Sequence, residues 1–291
     1  MASGILNVNK PAGQTSFAAV RQVQRLPGVR KVGHGGTLDP AADGVLPVLV
    51  NAATRLADFV HAWPKEYLAT VTFGATSDTG DAEGRLTQLG DAGVITRERI
   101  EAVLPSFVGI IEQVPPAYSA LKHGGESLYR KARRGELVEP AARRVEIHSL
   151  TLLGYEPSSA GARLAVRCGR GTYIRSLARD LGAALACGAY LSALTRTAVG
   201  PLRLADAMTP AQLQQLGERW VDKLLPMELP IQHWPALELD AEGAELVRQG
   251  RRLPAPASSA QRYRLLDPQG QLIGWAEVAD GFVQPRAVLA P

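Results

Sequence analysis

From Gly33 the chain reads Gly-His-Gly-Gly-Thr-Leu-Asp-Pro and runs on through Ala41 to Gly44-Val45-Leu46, which commits this stretch to a tight loop. Glycines at 33, 35 and 36 leave space around a single carboxylate, and Pro40 fixes the backbone directly behind it. Asp39 is thereby displayed where other groups approach closely. A plain Gly/Asp/Pro turn is written with the same residues, so the remainder of the chain has to separate display from punctuation.

With 291 residues, 46% hydrophobic and 21% charged, the chain has enough apolar material for one substantial core and a small accessory domain. That balance excludes a disordered tail or a coiled coil. No apolar run approaches the roughly 20 residues of a membrane span, and Met1 to Lys10 is too short an apolar stretch for a signal peptide, so a cytoplasmic protein with no membrane partner is expected. Cys168 and Cys187 form no Cys-x-x-Cys pair and read as buried thiols.

The net charge of +4 is unevenly spread. Lys122, Arg130, Lys131, Arg133, Arg134, Arg143 and Arg144 stand against only Glu126, Glu136 and Glu139. A solvated helix face has this look too. The neighbouring Tyr118, Tyr129, Gly124-Gly125 and Pro115-Pro116 favour an arm, about 115–144, that grips a polyanion, with RNA the natural candidate.

Hydrophobic spacing gives a first strand at Ile5, Leu6 and Val8, then a helix capped at Thr15-Ser16 that carries Phe17, Val20 and Val23. Leu56, Phe59, Val60 and Trp63 recur at helical spacing, and Tyr67, Ala69, Val71 and Phe73 alternate as in a strand. Another helix carries Ile100, Val103, Leu104 and Phe107, with strands at 145–153 and 163–168. Thr172 is placed to cap a helix bearing Ile174, Leu177, Ala178, Leu181 and Leu185, with Arg175 and Arg179 on one side. By itself this alternation reads as α/β. Prolines 226, 230 and 235 mark a boundary, after which two strands flank the turn Asp267-Pro268-Gln269-Gly270 in a small β-rich unit.

Five segments occurring together resemble the TruB family, the bacterial tRNA pseudouridine-55 synthases. They are Asn9 to Ser16 (NKPAGQTS), the GHGGTLDP loop with its Gly-Val-Leu, Lys65-Glu66-Tyr67, Pro115 to Lys122 (PPAYSALK) and Arg170 to Leu177 (RGTYIRSL). The resemblance covers about residues 4–205, and the tail is weakly similar to a PUA-type RNA-binding domain. It implies a mixed, largely antiparallel α+β catalytic domain over 1–228, and a PUA-like domain over 236–291. The implied activity is isomerisation of uridine 55 in the tRNA T-arm loop, by a monomer with no obligate protein partner. The family uses neither metal nor nucleotide cofactor, and the chain offers no His-x-x-x-His, P-loop or Gly-x-Gly-x-x-Gly after a strand.

The same resemblance assigns roles. Asp39 matches the catalytic aspartate, a nucleophile or charge stabiliser, and Arg175 the arginine that pairs with it and keeps it ionised. Tyr67 matches the tyrosine that stacks on the flipped base and handles a proton. His34 matches a residue that fills the space the nucleotide leaves. Lys10 falls on an active-site support position and Leu191 on a pocket wall, while Arg133, Arg134, Arg143 and Arg144 belong to the RNA-gripping arm. Taken singly, each has an ordinary structural reading: turn aspartate, surface arginine, core tyrosine, loop histidine. Gly35 stands where the family often has threonine, which is expected to loosen the loop, and the unusual Asp43 is expected to face solvent. A non-catalytic RNA-binding or tRNA-folding protein is the alternative, and it needs no pairing of Asp39 with Arg175. A metal-dependent nucleic-acid hydrolase lacks ligands.

Overall fold

The computed structural model describes residues 2–119, 121–136, 138, 140–256 and 260–289, with the backbone alone at Lys122, His123, Ser127, Tyr129 and Arg133. Along the strand Lys65–Phe73 every second residue, from Lys65 through Tyr67, Ala69 and Val71 to Phe73, is buried, because successive side chains of a strand point to opposite faces. This strand lies inside a sheet ordered Gly4–Lys10, Asp43–Val50, Ala189–Val199, Lys65–Phe73, Gly161–Cys168, Arg143–Glu156, Gly109–Gln113. Along this path the pairing is antiparallel except where Thr195 and Arg196 run parallel to Asp43 and Gly44. The sheet is therefore mixed and largely antiparallel. The α/β reading of the element alternation fails because the intervening helices cover the sheet without linking parallel neighbours.

Helix Ile174–Ala184 packs Ile174, Leu177, Ala178 and Leu181 into the main core against the strand Ala189–Val199. Thr172 does not cap it. Its hydroxyl donates to Gly169 O at 3.2 Å, and the N-cap position is Tyr173, whose backbone N–H donates to Gln113 Oε1 at 2.8 Å. Helix Ser16–Val23 does start as expected, with Thr15 Oγ1 accepting from the Ala18 amide at 3.0 Å. Its buried stripe is Ser16, Ala19, Val20 and Val23, so Phe17 lies roughly 100° off that stripe and is 70% exposed.

A second, five-stranded sheet is ordered Ala236–Glu238, Arg262–Leu266, Leu272–Ala279, Phe282–Val288, Leu253–Pro254. The 267–270 turn forms as the sequence predicts, with the Gly270 amide donating to Asp267 O at 2.8 Å. This sheet leans on the first body through Phe59, whose ring meets Trp234 and Trp275 edge-on at 5.0 and 5.1 Å above the buried Leu56, Ile231, Leu272 and Leu289. Both cysteines are free and buried. Among the described residues no helix is long and apolar enough to cross a membrane.

Candidate active site

Three side chains pin the Asp39 loop to its surroundings. The buried Lys10, at the end of its strand, donates to the carbonyls of Pro11, Gln14 and Pro40 at 2.9, 2.7 and 3.3 Å, so it clamps two loops together. Burial lowers its pKa to about 8. Ser16 Oγ accepts from the Leu38 amide and donates to the Leu38 carbonyl, both at 2.8 Å. Arg196, 1% exposed, donates to Val45 O at 2.7 Å, Thr37 O at 3.2 Å and Gly36 O at 3.1 Å. Its backbone lies so close to Gly44 that a Cβ there would overlap Arg196 O, and Gly44 also has φ +108°, so the Gly-Val-Leu glycine is required twice over.

Asp39 and Arg175, 136 positions apart in sequence, meet over this frame. Arg175 Nη2 donates to Asp39 Oδ1 at 3.1 Å and to Tyr118 O at 2.9 Å, Nη1 donates to Thr79 O at 3.0 Å, and Nε lies 2.8 Å from Asp39 Oδ2 without its N–H aligned on that oxygen. The arginine side chain is 6% exposed and the aspartate 36%, so the cation is fixed by protein while the carboxylate opens onto a cleft of about 1260 Å³. Asp81 Oδ2 lies 3.6 Å from Arg175 Nη1, and Thr79 Oγ1 donates to its Oδ1 at 2.6 Å.

Tyr67 faces the same cleft from the strand beside Arg196, its register partner. Burial raises the pKa of its phenol, opposed by the nearby Arg196 guanidinium, so the hydroxyl keeps its proton at neutral pH. His34 also lines the cleft, and its Nδ1 accepts from the Gly36 amide at 3.3 Å. The His61 ring stands edge-on to it at 6.3 Å between centroids. Burial, and then the other ring, lower the pKa of His34, so an uncharged imidazole faces the cleft at neutral pH. An anchored carboxylate, a fixed cation, a protonated phenol and a neutral ring can together capture a reactive carbon and move a proton without leaving one cavity.

Known proteins resemble this chain along its length. The TruB family pseudouridylate synthase N-terminal domain matches residues 24–174, the tRNA pseudouridylate synthase B C-terminal domain residues 175–232, and the pseudouridine synthase II TruB C-terminal domain residues 235–289. The chain belongs to the TruB family. The tRNA pseudouridine synthase B of Pseudomonas aeruginosa is 42% identical over 294 residues, covering 99% of this chain and 96% of that one. That of Synechococcus elongatus is 43% identical over 292 residues, covering 99% and 98%. A solved Cbf5-Nop10-Gar1 complex contains a chain that superposes with a TM-score of 0.73 at 25% identity, covering 99% of this chain and 85% of its own.

Within this TruB chain several positions differ from expectation. Leu191 is not on the cleft wall; it is buried in the core, and Leu194 lines the cleft instead. A bulge between Leu191 and Ala193 breaks the two-residue period and brings Leu194, with Arg196, onto the face of Ala69 and Tyr67, while Leu191 lies farther along the same face opposite Val71. Leu191 thus sits roughly 13 Å along the strand from Tyr67, at about 3.3 Å per residue. Asp43 does not simply face solvent: its Oδ1 is buried without a hydrogen-bond partner, and its charge pulls the Lys10 pKa up against burial.

Gly35 does not loosen the TruB loop. Its amide donates to Pro47 O at 2.8 Å, and a Cβ built there would overlap Val60 Cγ1. Gly35→Ala should therefore destabilise the fold by about 1–3 kcal/mol through overpacking. In chemical denaturation the Gly35→Ala/Val60→Ala double variant should lose less than the sum of the two single variants; strict additivity would show that the contact does not govern the position.

The TruB arm divides in two. Arg134 is engaged within it, donating to both Glu126 oxygens at 2.6 and 2.7 Å and to Glu136 at 3.2 Å, whereas the exposed Arg143 and Arg144 line the cleft. The side chain of Arg133 lies outside the described residues, as do Ala120 and Glu139. Sequence reasoning missed Asp81, His61, Leu194 and Arg196. Arg196 alone left a signal, as the one charged residue of the strand Ala189–Val199.

Proposed function

We propose that this TruB-family enzyme converts a uridine of the tRNA T-arm loop, position 55, to pseudouridine, with Asp39 as nucleophile. The observation that carries the reading is the meeting of Asp39, Arg175 and Tyr67 in one cleft. In this reading the N1–C1′ bond of the flipped uridine breaks, the uracil turns, and a C5–C1′ bond forms, with the bond that Asp39 makes as nucleophile broken again before the product leaves. The proton leaves C5 and N1 is reprotonated, so the product is an isomer of the substrate. Tyr67 stacks on the base and takes part in that proton transfer, and His34 occupies the space the nucleotide leaves, offsetting part of an extrusion cost of a few kcal/mol. Arg143 and Arg144 supply phosphate contacts, joined by Arg133, while Arg134 holds the arm in shape.

On this reading the enzyme acts as a monomer with no obligate protein partner, and a tRNA substrate supports action in the cytoplasm. The test is a chemical map of pseudouridine in an unmodified tRNA transcript after incubation with the purified protein alone. Pseudouridine at position 55 is the expected result. Tight tRNA binding without any product would move the assignment to the RNA-folding alternative.

A further inference from the structure

Phe17 is an aromatic ring that the fold does not use. The helix Ser16–Val23 buries Ser16, Ala19, Val20 and Val23, leaving Phe17 70% exposed on the cleft side, where it lines the same cavity as Asp39. Its backbone is not free to wander, since Ser16 is locked to Leu38 by two hydrogen bonds of 2.8 Å and Thr15 caps the helix turn that carries it. One helical turn on, the Arg21 guanidinium lies 5.9 Å from the ring centroid and donates to Gln24 Oε1 at 2.8 Å. A flat apolar face, a cation beside it and a backbone tied to the Asp39 loop make the composition of a nucleobase platform, because every base has a π-face and brings a phosphate with it.

We propose that Phe17 stacks on an unpaired base of the substrate RNA adjacent to the nucleotide drawn into the cleft, with Arg21 meeting the backbone beside it. The inference rests on the RNA-uridine reading above and adds a second base contact to it. Base stacking on an aromatic ring is worth enough that its removal should weaken binding by roughly tenfold. Because the ring is exposed, Phe17→Ala should melt at the wild-type temperature, which confirms that any loss is local.

The experiment measures binding and single-turnover pseudouridine formation for wild type, Phe17→Ala, Phe17→Leu and Phe17→Tyr, on a T-arm stem-loop and on versions with one abasic site at each unpaired position flanking the target. Phe17→Ala and Phe17→Leu should bind roughly tenfold more weakly, Phe17→Tyr should match wild type, and turnover at saturating RNA should be unchanged in all. One abasic position should abolish the difference between wild type and Phe17→Ala. Equal binding by wild type and Phe17→Ala overturns the proposal, as does a loss that is the same at every abasic position. Wild-type protein that binds the stem-loop but forms no pseudouridine would instead count against the reaction, while the binding comparison still decides on the platform.

Discussion

Asp39→Asn is expected to form no detectable pseudouridine in a single-turnover assay with enzyme in excess, a rate loss of at least about a thousandfold, or roughly 4 kcal/mol of transition-state stabilisation. The substitution keeps the shape of the side chain and an oxygen that can still accept from Arg175 Nη2, but removes the charge and the oxygen proposed above as the nucleophile. Arg175 also keeps its donations to the carbonyls of Thr79 and Tyr118, which do not depend on that charge, so the frame should stand. Affinity for tRNA should stay within about tenfold of wild type, or 1.4 kcal/mol. Product at close to the wild-type rate would remove Asp39 from the chemistry.

Tyr67→Phe separates ring from hydroxyl. The ring keeps its place in the sheet, so tRNA affinity should hold, whereas turnover should fall by about a hundredfold or more if the phenol takes part in proton transfer. Burial raises the pKa of the Tyr67 phenol further above its ordinary value, so the hydroxyl of the wild-type enzyme carries its proton at neutral pH and Tyr67→Phe removes that proton along with the oxygen. Tyr67→Leu should damage binding as well, by about 1–3 kcal/mol for the lost stack. Normal turnover in Tyr67→Phe, read by quenched-flow assay, would leave the hydroxyl without a part in catalysis.

What the sequence made legible is local. The strand through Tyr67, the Thr15 cap and the Asp267 turn each follow from neighbours within a few residues, and the structure has them where periodicity and turn chemistry put them. The Asp39–Arg175 meeting was reachable only through the family resemblance, because no spacing rule joins residues 136 apart. Three features were beyond reach for a common reason. The bulge at Leu191/Ala193 shifts the strand's phase, the Val60 side chain fills the space beside Gly35, and Arg196 finds its acceptors on a loop far away in sequence. Each depends on contacts between segments distant in the chain, which a strict two-residue or 3.6-residue period cannot contain. Phe17 shows the converse, an apolar residue that fits a helical stripe on paper and is left outside by the stripe the fold chose.

Phe59, Val60 and His61 follow one another on the helix Ala57–Ala62, yet each answers to a different part of the molecule: Trp275 of the second sheet with Trp234 just ahead of that sheet, the backbone at Gly35 and the ring of His34. A six-residue helix has no slack to absorb a shift on one side without passing it to the others. Loosening Trp275 would thus be felt as a change in how snugly the Asp39 loop is backed, even though among the described residues the two sheets share no strand pairing. A chain cut before the second sheet would bare Phe59 and Leu56 to water and undermine the same short span that shoulders the loop. The tail, read from the sequence as an accessory, is in mechanical terms a buttress for the chemistry.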